Sequence, residues 1–146
     1  MDNSTHKGAL KQWLDNREQL MAIDATVCEV LYNDAIALCD NLHRQLGAEA
    51  PLDEYIAFLS TYANLCALRQ DGSSKEIDIQ EEIVRQRRKQ ILENREVFLP
   101  KLSHSLFYAA QLHRKAVNVH RAIECMEEHV AIEREIAEQN SEVGER

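Results

Sequence analysis

LPKLSHSLFYAAQLHRKAVNVHRAIECMEEHVAIEREIAEQN, residues 99–140, is the stretch from which the fold is read. Leu99, Leu102, Leu106, Ala109, Ala110 and Leu112 recur by threes and fours, then Val119, Ala122, Ile123, Met126, Val130 and Ile136 do the same. Each set is the apolar stripe of an amphipathic helix. A short polar turn at Ala116–Asn118 separates them, and the small Ala109, Ala110 and Ala122 allow two antiparallel helices to approach closely. The stretch therefore predicts an αα-hairpin.

Working outward, the rest of the chain falls into similar pieces. A helix is expected from Ser4 to Ala22, with Leu10, Trp13, Leu14 and Leu20 or Met21 on one face. Trp13 is expected to cover the end of a core. Asp24 reads as the N-cap of a second helix that closes at Gly47 in a left-handed cap, with Val27, Val30 or Leu31, Ala35, Leu38, Leu42 and Leu46 inward. Pro51 forbids a continuous helix through Ala48–Pro51. A third helix from Asp53 to Gln70 buries Tyr55, Ile56, Leu59, Tyr62, Ala63, Cys66 and Leu68, and ends at the Asp71-Gly72-Ser73-Ser74 turn. A fourth runs from Lys75 to Val97, a fifth from Pro100, a sixth from near Asn118, and a frayed tail follows over 141–146. The expectation is one all-α domain over residues 1–146, built of three hairpins in approximate units 4–47, 53–97 and 99–140.

Composition agrees and excludes several classes. The 146 residues are 45% hydrophobic and 29% charged, with four glycines and two prolines, too few breakers to punctuate a β-sandwich. A net charge of -8 argues against general affinity for nucleic acid or an anionic membrane. No apolar run is long enough to span a bilayer, and the first residues lack the apolar core of a secretory signal, so a cytoplasmic protein is expected. Cys28, Cys39, Cys66 and Cys125 are scattered without a C-x-x-C pair and read as small buried hydrophobes.

Chemistry-bearing patterns are sparse. His120/Glu124 and Cys125/His129 are i,i+4 pairs, but the sequence specifies no third and fourth zinc ligand at comparable reach, so no metal is expected. A di-iron bundle would require Glu-x-x-His on two helices, and none occurs. There is no G-x-S-x-G, no P-loop and no dinucleotide fingerprint; no catalytic residue and no cofactor are assigned. The basic run Arg85-Gln86-Arg87-Arg88-Lys89 reads as a solvated face paired with Glu81, Glu82 and Glu93 along its own helix.

Laying Leu59–Leu65 over Leu106–Leu112 matches Leu59 with Leu106, Ala63 with Ala110, Asn64 with Gln111 and Leu65 with Leu112. With a small slip in the turn, Glu81-Glu82 falls near Glu127-Glu128 and Ile91 on Ile136, a period of about 45 residues. The string Ser105-Leu106, Gln111-Leu112, Arg121-Ala122-Ile123, then Glu127-Glu128 and Val130-Ala131-Ile132 resembles the longer tetratricopeptide repeats (TPR) of the kinesin-light-chain type. Phe107 and Tyr108 stand where that family often has asparagines, and the turn over Lys115–Asn118 lacks its glycine. The resemblance implies an α-solenoid of antiparallel helix pairs, its first helices lining a concave groove that takes a partner peptide or helix. On this basis Asn64, Gln111, Tyr108, His104 and Arg69 are the groove candidates, and the chain is expected to be a non-catalytic adaptor or scaffold for protein–protein interaction. A compact bundle with a structural, homo-oligomerising role is the alternative.

Overall fold

The structure, a computed structural model, describes the backbone of residues 2–47, 50–69 and 74–144 and the side chains over 8–47, 50–69 and 74–141. Six helices follow one another: α1 Asp2–Met21, α2 Glu29–Leu46, α3 Leu52–Leu68, α4 Lys75–Glu93, α5 Arg95–Lys115 and α6 Val119–Gly144. The described residues contain no strand, so the all-α expectation holds. Residues 71–73 of the Asp71–Ser74 turn and residues 145 and 146 of the expected tail lie outside the described residues, while α6 runs on to Gly144.

Three local boundaries differ from the sequence reading. Asp24 does not cap α2: its carboxylate accepts from the Thr26 N–H (2.9 Å) and hydroxyl (2.5 Å), closing an Asx turn. Those bonds hold its carboxyl below the usual range, and α2 begins only at Glu29. Gly47 ends α2 as expected, but at φ 7° and ψ -119° rather than in the left-handed region. The fifth helix starts at Arg95, not Pro100, because Asn94 caps it by accepting from the Val97 N–H at 3.2 Å. Pro100 then sits in the second turn, where the freed Glu96 carbonyl belongs to an exposed stretch that water can satisfy.

The chain divides into two compact units, Met1–Ile79 and Gln80–Arg146. In the first, α2 buries Tyr32, Ala35, Cys39, Leu42 and Leu46, whereas Val30 and Leu31, one or the other of which is expected inward, are both exposed. At its centre is Phe58, fully buried and absent from the expected stripe of α3. Trp13 meets it edge-on at 5.5 Å, and Tyr55 and Tyr62 lie 6.3 and 5.7 Å from it. The Trp13 Nε1–H donates to Glu54 (3.0 Å), so the indole has its polar partner without leaving the core. Tyr62 donates its hydroxyl to Asp40, which also accepts from Lys75 Nζ at 3.1 Å. Burial pushes the Cys39 thiol up to about 12, so it is the inert apolar filler expected, whereas Cys28 is exposed.

The second unit is built on α5. Leu99, Leu102, Leu106, Ala109 and Ala110 form its buried face, joined by Val84 of α4 and by Cys125 and Ile132 of α6, with Ile91, Met126 and Ile136 at the edge. On α6 the expected stripe holds in part: Met126 and Ile136 pack on the core and Ala122 is half-buried, but Val119, Ile123 and Val130 are exposed, and Cys125 and Ile132, outside the expected stripe, are inward. The α5–α6 turn closes as a Schellman motif, with Val117 N–H to Arg114 O (3.0 Å) and Asn118 N–H to His113 O (2.8 Å). The position that usually holds glycine is Val117, at φ 63°. A β-branched residue there costs roughly 1–2 kcal/mol, and glycine would return about 0.5–1 of it through unfolded-chain entropy. Val117→Gly should therefore raise stability by about 0.5–1 kcal/mol in urea unfolding.

Candidate functional site

Two features follow from how the helices lie inside each unit. In the first unit α1 and α3 run parallel, one period apart. Trp13 and Arg17 both reach Glu54, the latter at 3.1 Å, and further along Leu20, Met21 and Ile23 face Ala57, Ser60 and Asn64 across an open groove of about 230 Å³. The groove floor is apolar, and the exposed amide of Asn64 offers both a donor and an acceptor. Acidic residues outnumber basic ones about two to one over Met1–Ile79 and nearly balance them beyond it, which favours a basic ligand on the first unit.

In the second unit α4 and α6 also run parallel. Arg121 grips Glu81 through Nε and Nη2 (2.8 and 3.0 Å), Arg88 grips Glu128 (2.8 Å through Nη2), and Arg95 grips Glu135 (2.9 and 2.8 Å). Every pair joins residues 40 apart, and successive pairs are seven residues apart on both sides. A seven-residue step keeps Glu81 and Arg88 on one face of α4 and their partners on one face of α6, and Arg95, in the first turn of α5, adds a third fork to the ladder. Arg88, expected to pair along its own helix, thus pairs across to Glu128 of α6; Arg85 and Lys89 are exposed.

This ladder sets a pH dependence. Burial raises the Glu81 pKa, but the Arg121 fork and nearby His113 outweigh it, and the net shift is downward. Arg88 lowers Glu128, and Arg95 lowers Glu135. Carboxylates whose folded values lie below their unfolded ones stabilise fully above the ordinary value of 4.5, and that contribution fades as pH falls through the folded values. Thermal melts are expected to lose midpoint as pH drops below 4.5, and the triple variant Glu81→Gln/Glu128→Gln/Glu135→Gln should show a shallower decline over the same window.

The five groove candidates separate. Asn64 lines the α1–α3 groove. The Arg69 guanidinium donates to Val27 O (2.9 Å) and lies 4.8 Å over the Tyr32 ring, tying the α1–α2 connection to the end of α3. His104, Tyr108 and Gln111 share one face of α5, where Gln111 accepts from Arg114 (2.8 Å). Within that face Pro100, His104 and Phe107 meet His129 and Glu133 of α6 around a hollow of about 330 Å³.

Behind the hollow Ser103, His129 and Glu133 form a cluster that sequence reading missed, since its members come from two helices at no diagnostic spacing. The Ser103 hydroxyl donates to Glu133 Oε1 (2.5 Å), while His129 Nδ1 lies 2.9 Å from that hydroxyl oxygen and 3.0 Å from the Ser103 main-chain oxygen. The hydroxyl proton is committed to the carboxylate, and the serine is 0% exposed. A nucleophile needs its oxygen accessible and its proton directed to a base. This serine has neither, so the trio orients side chains. His120, Glu124, Cys125 and His129 form no metal set either: among the described residues no group of three or more His, Cys, Asp or Glu is placed to hold an ion. No described helix is long and apolar enough to cross a membrane.

Compared with known proteins, the chain matches no family model, no curated protein and no solved structure.

Proposed function

We propose that the chain is a non-catalytic protein–protein interaction module, a cytoplasmic adaptor of tetratricopeptide-like layers that holds a partner peptide or helix against its first-helix face. The observation that carries this reading is the constant register of about one repeat between like helices: α1 with α3 at Trp13–Glu54, 41 residues apart, and α4 with α6 at Glu81–Arg121 and Arg88–Glu128, both 40 apart. Stacked copies of one hairpin produce such a register, because each residue of one layer meets a position at a fixed offset, near one repeat, in the next. The α1–α3 groove then occupies the place where an array of this kind receives its ligand, and the surplus of acidic residues on that unit selects a basic peptide.

Affinity capture with the full chain, quantified by mass spectrometry, tests the assignment. A partner bound by the wild type should be lost with Met21→Glu/Asn64→Ala and kept by Leu92→Glu, which alters an exposed residue of the other unit. A partner retained by the groove variant contradicts the assignment.

A second reading, self-association, has one observation in its favour. Val119, Ile123 and Val130 are exposed and lie within about 40° of one another around α6, so this helix has an uncovered apolar face besides its buried one. Sedimentation equilibrium of wild type against Ile123→Lys separates a dimer through this face from a monomer.

A further inference from the structure

The hollow on the α5–α6 pair presents acceptors from its α6 side. The Ser103 main-chain oxygen, 3.0 Å from His129 Nδ1, requires the proton on that nitrogen, and in the neutral imidazole Nε2 is then a lone-pair acceptor. Glu133 uses Oε1 to accept from Ser103, and its Oε2 has no hydrogen-bond or ion-pair partner among the described residues. The Phe107 ring, 40% exposed and 5.2 Å from the His129 ring, adds the electron-rich face of an aromatic system. A group that matches this α6 side brings hydrogen-bond donors and positive charge.

The walls narrow the choice. One flat aromatic ring beside one carboxylate suits a planar cation that stacks and forks at once, which a guanidinium does and an ammonium does not. The hollow, about 330 Å³, has room for one such side chain. The chain's own cation on this stretch is occupied elsewhere: Lys101 Nζ lies 5.4 Å over the Phe98 ring. We infer that the hollow framed by Pro100, His104, Phe107, His129 and Glu133 receives the arginine side chain of a partner peptide, stacked on Phe107 and paired with Glu133. This site lies in Gln80–Arg146 and stands or falls independently of the α1–α3 groove.

The test is an NMR titration of the full chain with three blocked tripeptides, Gly-Arg-Gly, Gly-Lys-Gly and Gly-Glu-Gly. The arginine peptide should shift the Phe107 and His129 ring signals and the Ser103 amide saturably in the roughly millimolar range expected of one side chain. The lysine peptide should bind about threefold or more weakly, and the glutamate peptide should leave these signals unmoved. Phe107→Leu and Glu133→Gln should each weaken the arginine peptide by about fivefold. Glutamine still accepts from Ser103 and Phe107 is exposed, so both variants keep the spectrum of the remaining residues. Equal binding of the lysine peptide, unchanged affinity in both variants, or no saturable shift at these residues overturns the inference. A zinc titration that saturates the His129 and His104 signals at equimolar metal does so too, by assigning the hollow to an ion.

Discussion

Phe58→Ala is expected to destabilise the protein by about 3–5 kcal/mol, the range for truncating a fully buried phenylalanine. The loss exceeds simple transfer because Trp13, Tyr55, Tyr62 and His43 all face the ring at 5.5–6.3 Å, and none has a smaller packing to fall back on. An aromatic cage collapses poorly onto a methyl group, so much of the void persists. Urea unfolding measures the magnitude. Hydrogen exchange locates it: amides of α1–α3 should lose protection first, and a loss confined to α5 and α6 would show that Phe58 is not the centre of its unit.

Leu106→Ala is the counterpart in the other unit, with an expected cost of about 2–5 kcal/mol. Leu106 is wholly buried among Leu102, Ala109, Ala110 and Cys125. The small alanines that bring α5 and α6 together leave few flexible side chains able to swing into the space. Protection should fall first in α5 and α6, the reverse of the Phe58 pattern. Calorimetry that returns less than about 1 kcal/mol would mean that the α5–α6 contact is looser than its burial indicates.

The contrast between these two residues shows how far the sequence could be read. Leu106 belongs to a stripe of period 3.6 flanked by polar positions, so its burial was legible. Phe58 sits in a helix that is apolar around most of its circumference, where periodicity no longer marks a face, and it escaped notice. The same limit blurred the α6 stripe, of which Met126 and Ile136 pack on the core and Val119, Ile123 and Val130 do not. Val119, Ile123 and Val130 are as periodic as Cys125 and Ile132, and spacing alone does not say which of two apolar faces is covered.

Helix ends depended on competing local chemistry. Asp24 could cap a helix or close an Asx turn, and Thr26 decided for the turn. Pro100 was a plausible boundary until Asn94, six residues earlier, supplied the cap. The missing glycine of the α5–α6 turn was visible in sequence, but not that Val117 would take the left-handed conformation in its place.

For the candidate residues, the exposure of Asn64 was legible because internal alignment placed it opposite Gln111. The internal contacts of Arg69 were not, because its partners, Val27 and Tyr32, lie about one repeat upstream and carry no local signature. The Arg–Glu ladder did have a signature that went unread. Glu81, Arg88 and Arg95 step by seven, and Arg121, Glu128 and Glu135 step by seven with every sign reversed. Opposite charges in matched heptad steps at Glu81 and Arg88 of α4 and Arg121 and Glu128 of α6 announce a parallel pair, and Arg95 continues the pattern from the first turn of α5.

The central claim is that α4 and α6 lie as successive layers, residue n against residue n+40, and a charge-swap cycle at Arg88 and Glu128 tests it most directly. Each single reversal, Arg88→Glu or Glu128→Arg, places like charges together and should cost about 1 kcal/mol, while the double swap should recover most of the loss, a coupling of roughly 1 kcal/mol or more. Additive costs with no recovery in the double variant would mean that these helices do not face each other in that register, and the layered reading would fall with it.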